Sequence, residues 1–424
     1  MKRVNDMASL DFASLVRKGD TVLWGQVCAE PTTLTQQLMA QRQRIGPFRV
    51  FMGFRTTATL LPEHADTVDM LALNAGGANR VLAKAGVLDM VPMHVSQVES
   101  AIRSGLLPCD VLLIQVSPPD AQGRYSLGLT GDYLRAAVER ARVVIAEVNA
   151  QVPWVPCDNP LTEADIDFAV HVDQPLPQVP AATVSPLDAQ IANWAAPYIG
   201  DGATIQFGIG GVPDALMLQL RDRQRLGVHS GMLSDGFVDL VECGAITNEH
   251  KPFDRGVSVT GALMGTQRLY QLCHQNPAVR LAPLSYTHDP VRLAQLPNLV
   301  SINSALEIDL TGQVNAEALG PHTLGGVGGQ VDFVRGAALS PGGRSIMALG
   351  SITPKGTSRI VAQLSGPVTT ARSDVDLVVT EHGVVELRGR SLRQRIRAMI
   401  AIAEPSQREA LERAAHPLTK ESGA

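Results

Sequence analysis

Aromatic side chains are scarce in this chain: Trp, Tyr and Phe make up 4% of its 424 residues. That is too few for the stacking platforms on which proteins hold unpaired bases. Cationic excess is missing too. Lys plus Arg number 36 against 41 for Asp plus Glu, a net charge of −5 with an isoelectric point near 6.1, so no nucleic-acid partner is expected. There is no apolar run of about 18 residues and no apolar signal core near Met1, which predicts a soluble, cytoplasmic protein with no membrane partner. Cysteine is sparse as well. Cys28, Cys109, Cys157, Cys243 and Cys273 are odd in number and never in CxxC spacing, so neither a disulfide framework nor a metal site is expected.

What is present is aliphatic side chain, glycine and length. A hydrophobic share of 45%, mostly aliphatic, suits an α/β enzyme, and 424 residues give room for two or three domains. An internal repeat sharpens this. Gly19-Asp-Thr-Val-Leu-Trp-Gly25 reads against Gly202-Ala-Thr-Ile-Gln-Phe-Gly208, and after a one-residue deletion Pro31, Leu34 and Leu38 fall against Pro213, Leu216 and Leu220. Each copy reads as strand, loop, helix: a β-branched run, a glycine-bearing loop, a proline suited to a first helical turn, then Leu at i, i+4 spacing. Two such copies predict two similarly built open α/β domains. The proline-rich stretch Asp173–Pro186 is the natural linker, which divides the chain into 1–185 and 186–424.

Short apolar runs at Asp110–Val116, Ala141–Val148, Asn298–Ile302 and Val375–Thr380 read as buried strands. Ser391–Ala415 reads as helix broken at Pro405. Arg388, Arg390, Arg393, Arg395 and Arg397 form a basic cluster, readable as a solvated helix face or as a contact for a ligand phosphate.

Glycine spacing carries the chemical signal. Gly208-Ile209-Gly210-Gly211 lies between an expected strand and an expected helix, where main-chain N–H groups can face an anion or a developing oxyanion. It lacks the full GxGxxG fingerprint and the P-loop Lys-Ser/Thr, so those nucleotide-binding classes are unsupported. Gly325-Gly326-Val327-Gly328-Gly329-Gln330 holds four glycines in five residues, an entropic cost that suits close approach of backbone to ligand. His229 and Ser230 are adjacent, so in a strand they face opposite ways and cannot pair as base and nucleophile. His382, within Thr380-Glu381-His382-Gly383, reads equally as a structural histidine.

Taken in order, Gly25-Gln26 with Ala29-Glu30-Pro31, Gln115–Asp120 followed by Ser126-Leu127-Gly128, Gly208–Gly210, His229-Ser230 with Ser234-Asp235-Gly236, Gly328–Phe333, Ser358-Arg359-Ile360 and Thr380-Glu381 with Gly383 resemble the acetyl-CoA hydrolase/4-hydroxybutyrate CoA-transferase family, part of the class I CoA-transferases. The resemblance runs from about residue 15 to 415. It implies an acyl-CoA site in the cleft between the two domains, coenzyme A as substrate or product, a carboxylate acceptor and a homodimer. It also implies a nucleophilic glutamate that attacks the acyl-CoA carbonyl, passes through a mixed anhydride and takes CoA as a glutamyl thioester. That position is Gly231 here. With the nucleophile absent, water becomes a plausible acceptor, and Asp235 and Glu30 are candidate bases or else structural carboxylates. Asp235 would stand one turn beyond Gly231 if that segment is helical. By the same resemblance the loop Gly208–Gly211 holds the thioester, while Gly325, Gly326, Gly328, Gly329, Gln330 and Lys355 contact CoA. CoA transfer, thioester hydrolysis, carbon–carbon hydrolysis of a β-keto acyl-CoA and CoA binding without turnover all remain open.

Overall fold

A computed structural model describes residues 1–420; the last four residues of the expected second domain lie outside the described residues. The chain divides into two compact units, Met1–Pro180 with Ser230–Val238 and Val257–His288, and Ala181–His229 with Asp239–Gly256 and Asp289–Ala424. The segment 174–185 carries neither helix nor strand.

The first unit is built on β1 (Lys2–Val4), β2 (Thr21–Trp24), β3 (Phe48–Met52), β4 (Val68–Ala72), β5 (Leu88–Met90), β6 (Val111–Val116), β7 (Val143–Asn149) and β8 (Phe168–Val172). They form one sheet in the order β1-β8-β7-β6-β2-β3-β4-β5, parallel at every pairing. Alternate residues feed two cores: Leu23, Phe51, Leu112 and Ala146 pack on one face, Val22, Trp24, Val50 and Ile145 on the other. A strand buried on both sides has no polar face, which is why β6 and β7 read as continuous apolar runs.

The second unit holds the other copy of the repeat. There β9 (Thr204–Phe207) pairs in parallel with the first residues of β10 (Gly227–Leu233), and β13 (Leu299–Asn303) lies on its other side. Parallel strands Arg344–Ala348 and Leu377–Thr380 continue the sheet, and Gly383–Glu386 closes it antiparallel. The chain crosses to the first unit inside β10, between His229 and Ser230; β11 (Ser258–Leu263) and β12 (Val279–Leu281) form a parallel pair there.

The protein is therefore α/β with parallel-dominated sheets, and each repeat copy occurs as strand, loop and helix: β2 to the helix Thr32–Ile45, and β9 to the helix Gly211–Gln219. Both strands occupy equivalent places. β2 lies between β6 and β3, and β9 between β10 and β13, so the chain leaves in opposite directions on either side. Crevices open at the carboxyl ends of strands at such switch points, and both glycine loops stand there. The carboxy-terminal helix is broken at the expected place, Leu392–Ala401 being followed by a turn at Pro405–Gln407 and the helix Arg408–Lys420.

Candidate active site

In the first unit the carboxyl end of β2 is gripped by residues 130–133. Tyr133 Oη donates to the Trp24 carbonyl at 2.8 Å, and Gln26 Nε2 donates to Asp132 Oδ2 at 2.6 Å. The Gln26 carbonyl Oε1 accepts from the Phe54 N–H at 3.2 Å, and Thr130 Oγ1 donates to Asp132 Oδ2. Burial pushes the Asp132 carboxyl up to about 7, against the opposing effect of its hydrogen bonds to Thr130 and Gln26. Asp132 and Gln26 were not among the residues singled out for chemistry: Gln26 was visible only as part of a motif, and nothing in the spacing around Asp132 marks it.

Glu30 is fully buried against Arg55 at 3.3 Å, and its oxygens accept from the hydroxyls of Thr35, Thr57 and Thr59. Four donors on one carboxylate make it the centre of a structural network in the loop that follows β2.

Gly231 lies in β10, a strand, so the helical spacing imagined between it and Asp235 does not exist. Asp235 instead opens the helix Asp235–Glu242 and spends both oxygens on Thr266, accepting its N–H at 2.9 Å and its hydroxyl at 2.7 Å. Gly265 makes room for this, because a Cβ there would stand 2.5 Å from Asp235 Oδ1.

In the second unit Gly210 caps the helix Gly211–Gln219 at φ +119°, a conformation that favours glycine, with open space where a Cβ would stand. Ile209 is exposed beside it. Gly211 lies against Asp188, whose Oδ2 would be 2.5 Å from a Cβ there and which accepts from Ser185 N and Oγ at 3.0 and 2.6 Å. Gly208 has only a carbonyl oxygen, of Ile302, 3.9 Å from its Cβ position. The loop is open, and it delivers the chain into a helix N-terminus, the arrangement that receives an anion.

Gly325–Gly329 form a partly exposed turn leading into the helix Gln330–Leu339. Gly328 takes φ +62°, and Gly325 approaches the Ala316 carbonyl too closely for any side chain. The Gln330 carboxamide points inward, donating to the Ser304 carbonyl and accepting from Thr370 Oγ1, each at 2.8 Å, which leaves its main-chain N–H as the part able to face a ligand. Lys355 is exposed at the tip of a tight hairpin closed by Gly356 N–H to Thr353 O at 2.8 Å. Of the basic cluster, Arg395 turns inward and donates to the carbonyls of Thr311 and Arg372, so the solvated-face reading does not hold for it. His382 Nε2 stands 3.1 Å from Glu404 and 3.7 Å from Glu381, whose oxygens accept from Ser351 N and Oγ. Among the described residues these three are the group whose ligand atoms all lie within 4.8 Å of one another.

Comparison with known proteins places these features in a class. Residues 5–180 match the acetyl-CoA hydrolase/transferase N-terminal domain and residues 265–415 its C-terminal domain, so the chain belongs to the acetyl-CoA hydrolase/transferase family of enzymes. It is 43% identical over 343 residues, 80% of each chain, to 4-hydroxybutyrate coenzyme A transferase of Clostridium kluyveri. To succinyl-CoA:cyclohexane-1-carboxylate CoA transferase of Geobacter metallireducens it is 33% identical over 417 residues, covering 97% of this chain and 95% of that one. Among solved structures, RipA of Yersinia pestis superposes with a TM-score of 0.93 at 34% identity, covering 99% and 98% of the two chains. A 4-hydroxybutyrate CoA-transferase of Porphyromonas gingivalis superposes with a TM-score of 0.82 at 33% identity, covering 98% and 97%. Among the described residues no helix is long and apolar enough to cross a membrane.

Proposed function

We propose that this protein acts on an acyl-CoA thioester with its nucleophile position vacant, so that the acyl group passes to water rather than through a glutamyl-CoA intermediate. The observation that carries this is Gly231, which offers no side chain in the strand where the family resemblance puts the attacking glutamate. The carboxylates considered as substitutes are both committed elsewhere, Glu30 to Arg55 and three threonines and Asp235 to Thr266. Relatives named for CoA transfer support the thioester substrate. The loop Gly208–Gly211 is the proposed thioester and oxyanion loop, and Gly325, Gly326, Gly328, Gly329, the Gln330 main chain and Lys355 are the proposed CoA contacts. The protein is further proposed to be cytoplasmic, from its scattered cysteines, and by the resemblance a homodimer, with its two sequence domains, 1–185 and 186–424, divided at the proline-rich stretch.

Intact-protein mass spectrometry after incubation with acetyl-CoA is the test. The native chain forms no CoA adduct, whereas Gly231→Glu accumulates a glutamyl-CoA thioester and gains transfer to acetate. An adduct on the native chain at any carboxylate, or loss of thioester hydrolysis in Gly231→Glu with no gain of adduct, removes the vacant-nucleophile reading.

A further inference from the structure

Asp132 is 1% exposed, and among the described residues its carboxylate is the acceptor of the Gln26 amide nitrogen. Gln26 is the one partly exposed residue in the otherwise buried run 21–30. A primary amide has two N–H donors and one carbonyl oxygen. An ionised carboxylate only accepts, so Asp132 decides which end of the Gln26 amide faces it, and the Phe54 N–H fixes the other end. Both ends held, the amide plane is set. Its second N–H then has no protein acceptor among the described residues.

Two glycines make this possible. A side chain at Gly53 would overlap the Gln26 carboxamide. A Cβ at Gly261 would stand 2.9 Å from Asp132 Oδ1 and 2.9 Å from the carbonyl oxygen of Gly231. Asp132 thus shares the open face of Gly261 with the main chain of the residue at the nucleophile position.

We propose that Asp132 is a positioning residue that locks the Gln26 carboxamide so that its second N–H donates to the carbonyl oxygen of the acyl group. The proposal rests on the acyl-CoA reading above and deepens it. Burial, with a smaller contribution from Glu99, raises the Asp132 carboxyl to about 7; Tyr133, beside it, is kept a phenol, and burial drives His288 of the same unit to its neutral form. Protonation leaves Asp132 an acceptor oxygen but removes the charge that strengthens its hydrogen bond from Gln26, so the lock is strongest above about pH 7 and weakens below it.

Titration calorimetry with free CoA and with acetyldethia-CoA, whose methylene in place of the thioester sulfur keeps the acyl carbonyl but blocks hydrolysis and which stands for acetyl-CoA throughout, separates the possibilities. Gln26→Ala is expected to weaken acetyl-CoA about tenfold relative to CoA, the worth of one well-placed hydrogen bond. Asp132→Ala is expected to match it, and the double variant to add nothing further. Asp132→Asn keeps an acceptor oxygen and so retains the preference for acetyl-CoA, but it loses the decline between pH 8 and pH 6 that the native chain shows. Equal weakening of both ligands, additive effects in the double variant, or an Asp132→Asn profile identical to the native one overturns the proposal. If the native chain binds neither ligand, the acyl-CoA reading itself has failed.

Discussion

At the scale of single residues, the sequence is most informative where the backbone forces the choice. Gly210 at φ +119° could be read from spacing alone as a turn that favours glycine, because few other residues reach that conformation. Lys355 is the opposite case: its side chain is exposed, and only the family resemblance gives it a ligand. Gly356, at φ +79°, closes the hairpin that presents it. Lys355→Ala is expected to raise the dissociation constant for CoA about threefold to tenfold at low salt, with the difference shrinking as ionic strength rises. Calorimetry at two salt concentrations reads this directly, and an unchanged constant at low salt makes Lys355 a solvated loop residue. Gln330 shows what a motif position leaves open. Its side chain lies in the core, donating to the Ser304 carbonyl and accepting from the Thr370 hydroxyl, which spacing alone does not reveal.

At the scale of elements, the two repeat copies differ in a way the sequence did not reveal. The helix Thr32–Ile45 starts behind Pro31 with no side-chain cap of its own. Glu147, from β7, supplies it, accepting from the N–H groups of Thr33 and Leu34 at 3.0 and 3.1 Å. The first copy's helix N-terminus is thereby filled by a buried carboxylate, while the loop at the start of the second copy's helix stays open at Gly210. This asymmetry explains why the second loop is the better candidate for a ligand anion. The signal was there: a glutamate inside an apolar run expected to be a fully buried strand needs a partner. The periodicity that found the strand says nothing of that partner, which lies 114 residues away in sequence. Glu147→Ala leaves two donors at the helix start without their acceptor, at a cost of about 2–4 kcal/mol. Glu147→Gln keeps an acceptor oxygen and is expected to cost less than half as much. Denaturant unfolding of both variants measures the difference, and equal losses would show that the charge of the carboxylate, rather than an acceptor oxygen or packing, makes the cap.

At the scale of the whole molecule, the repeat correctly indicated α/β architecture built twice over, because strand, loop and helix are local patterns. How the segments 230–238 and 257–288 leave their neighbours in sequence to join the first unit was not legible, since that is decided by long-range packing. One property of the assembled first unit follows from three titratable groups that the sequence leaves anonymous. Burial raises Asp132 and Glu147 each to about 7, and it lowers His288 to about 3. The signs oppose. A carboxyl raised on folding contributes stability that is complete below its unfolded value near 4 and is lost as pH climbs toward 7. A histidine lowered on folding contributes stability that is complete above about 6.5 and is lost as pH falls toward 3. At about 1.4 kcal/mol per pH unit for each group, one rising slope offsets one of the two falling slopes between pH 4.5 and 6.5. The native chain is therefore expected to lose stability only gently across that window. Asp132→Asn removes one falling slope and should leave the unfolding temperature nearly flat there. His288→Gln removes the rising one and should make the fall roughly twice as steep. Calorimetric scans of the three proteins at pH 4.5, 5.5 and 6.5 test this. Parallel profiles would mean that these groups titrate alike in the folded and unfolded chains, so that their burial has no hold on the protein's response to pH.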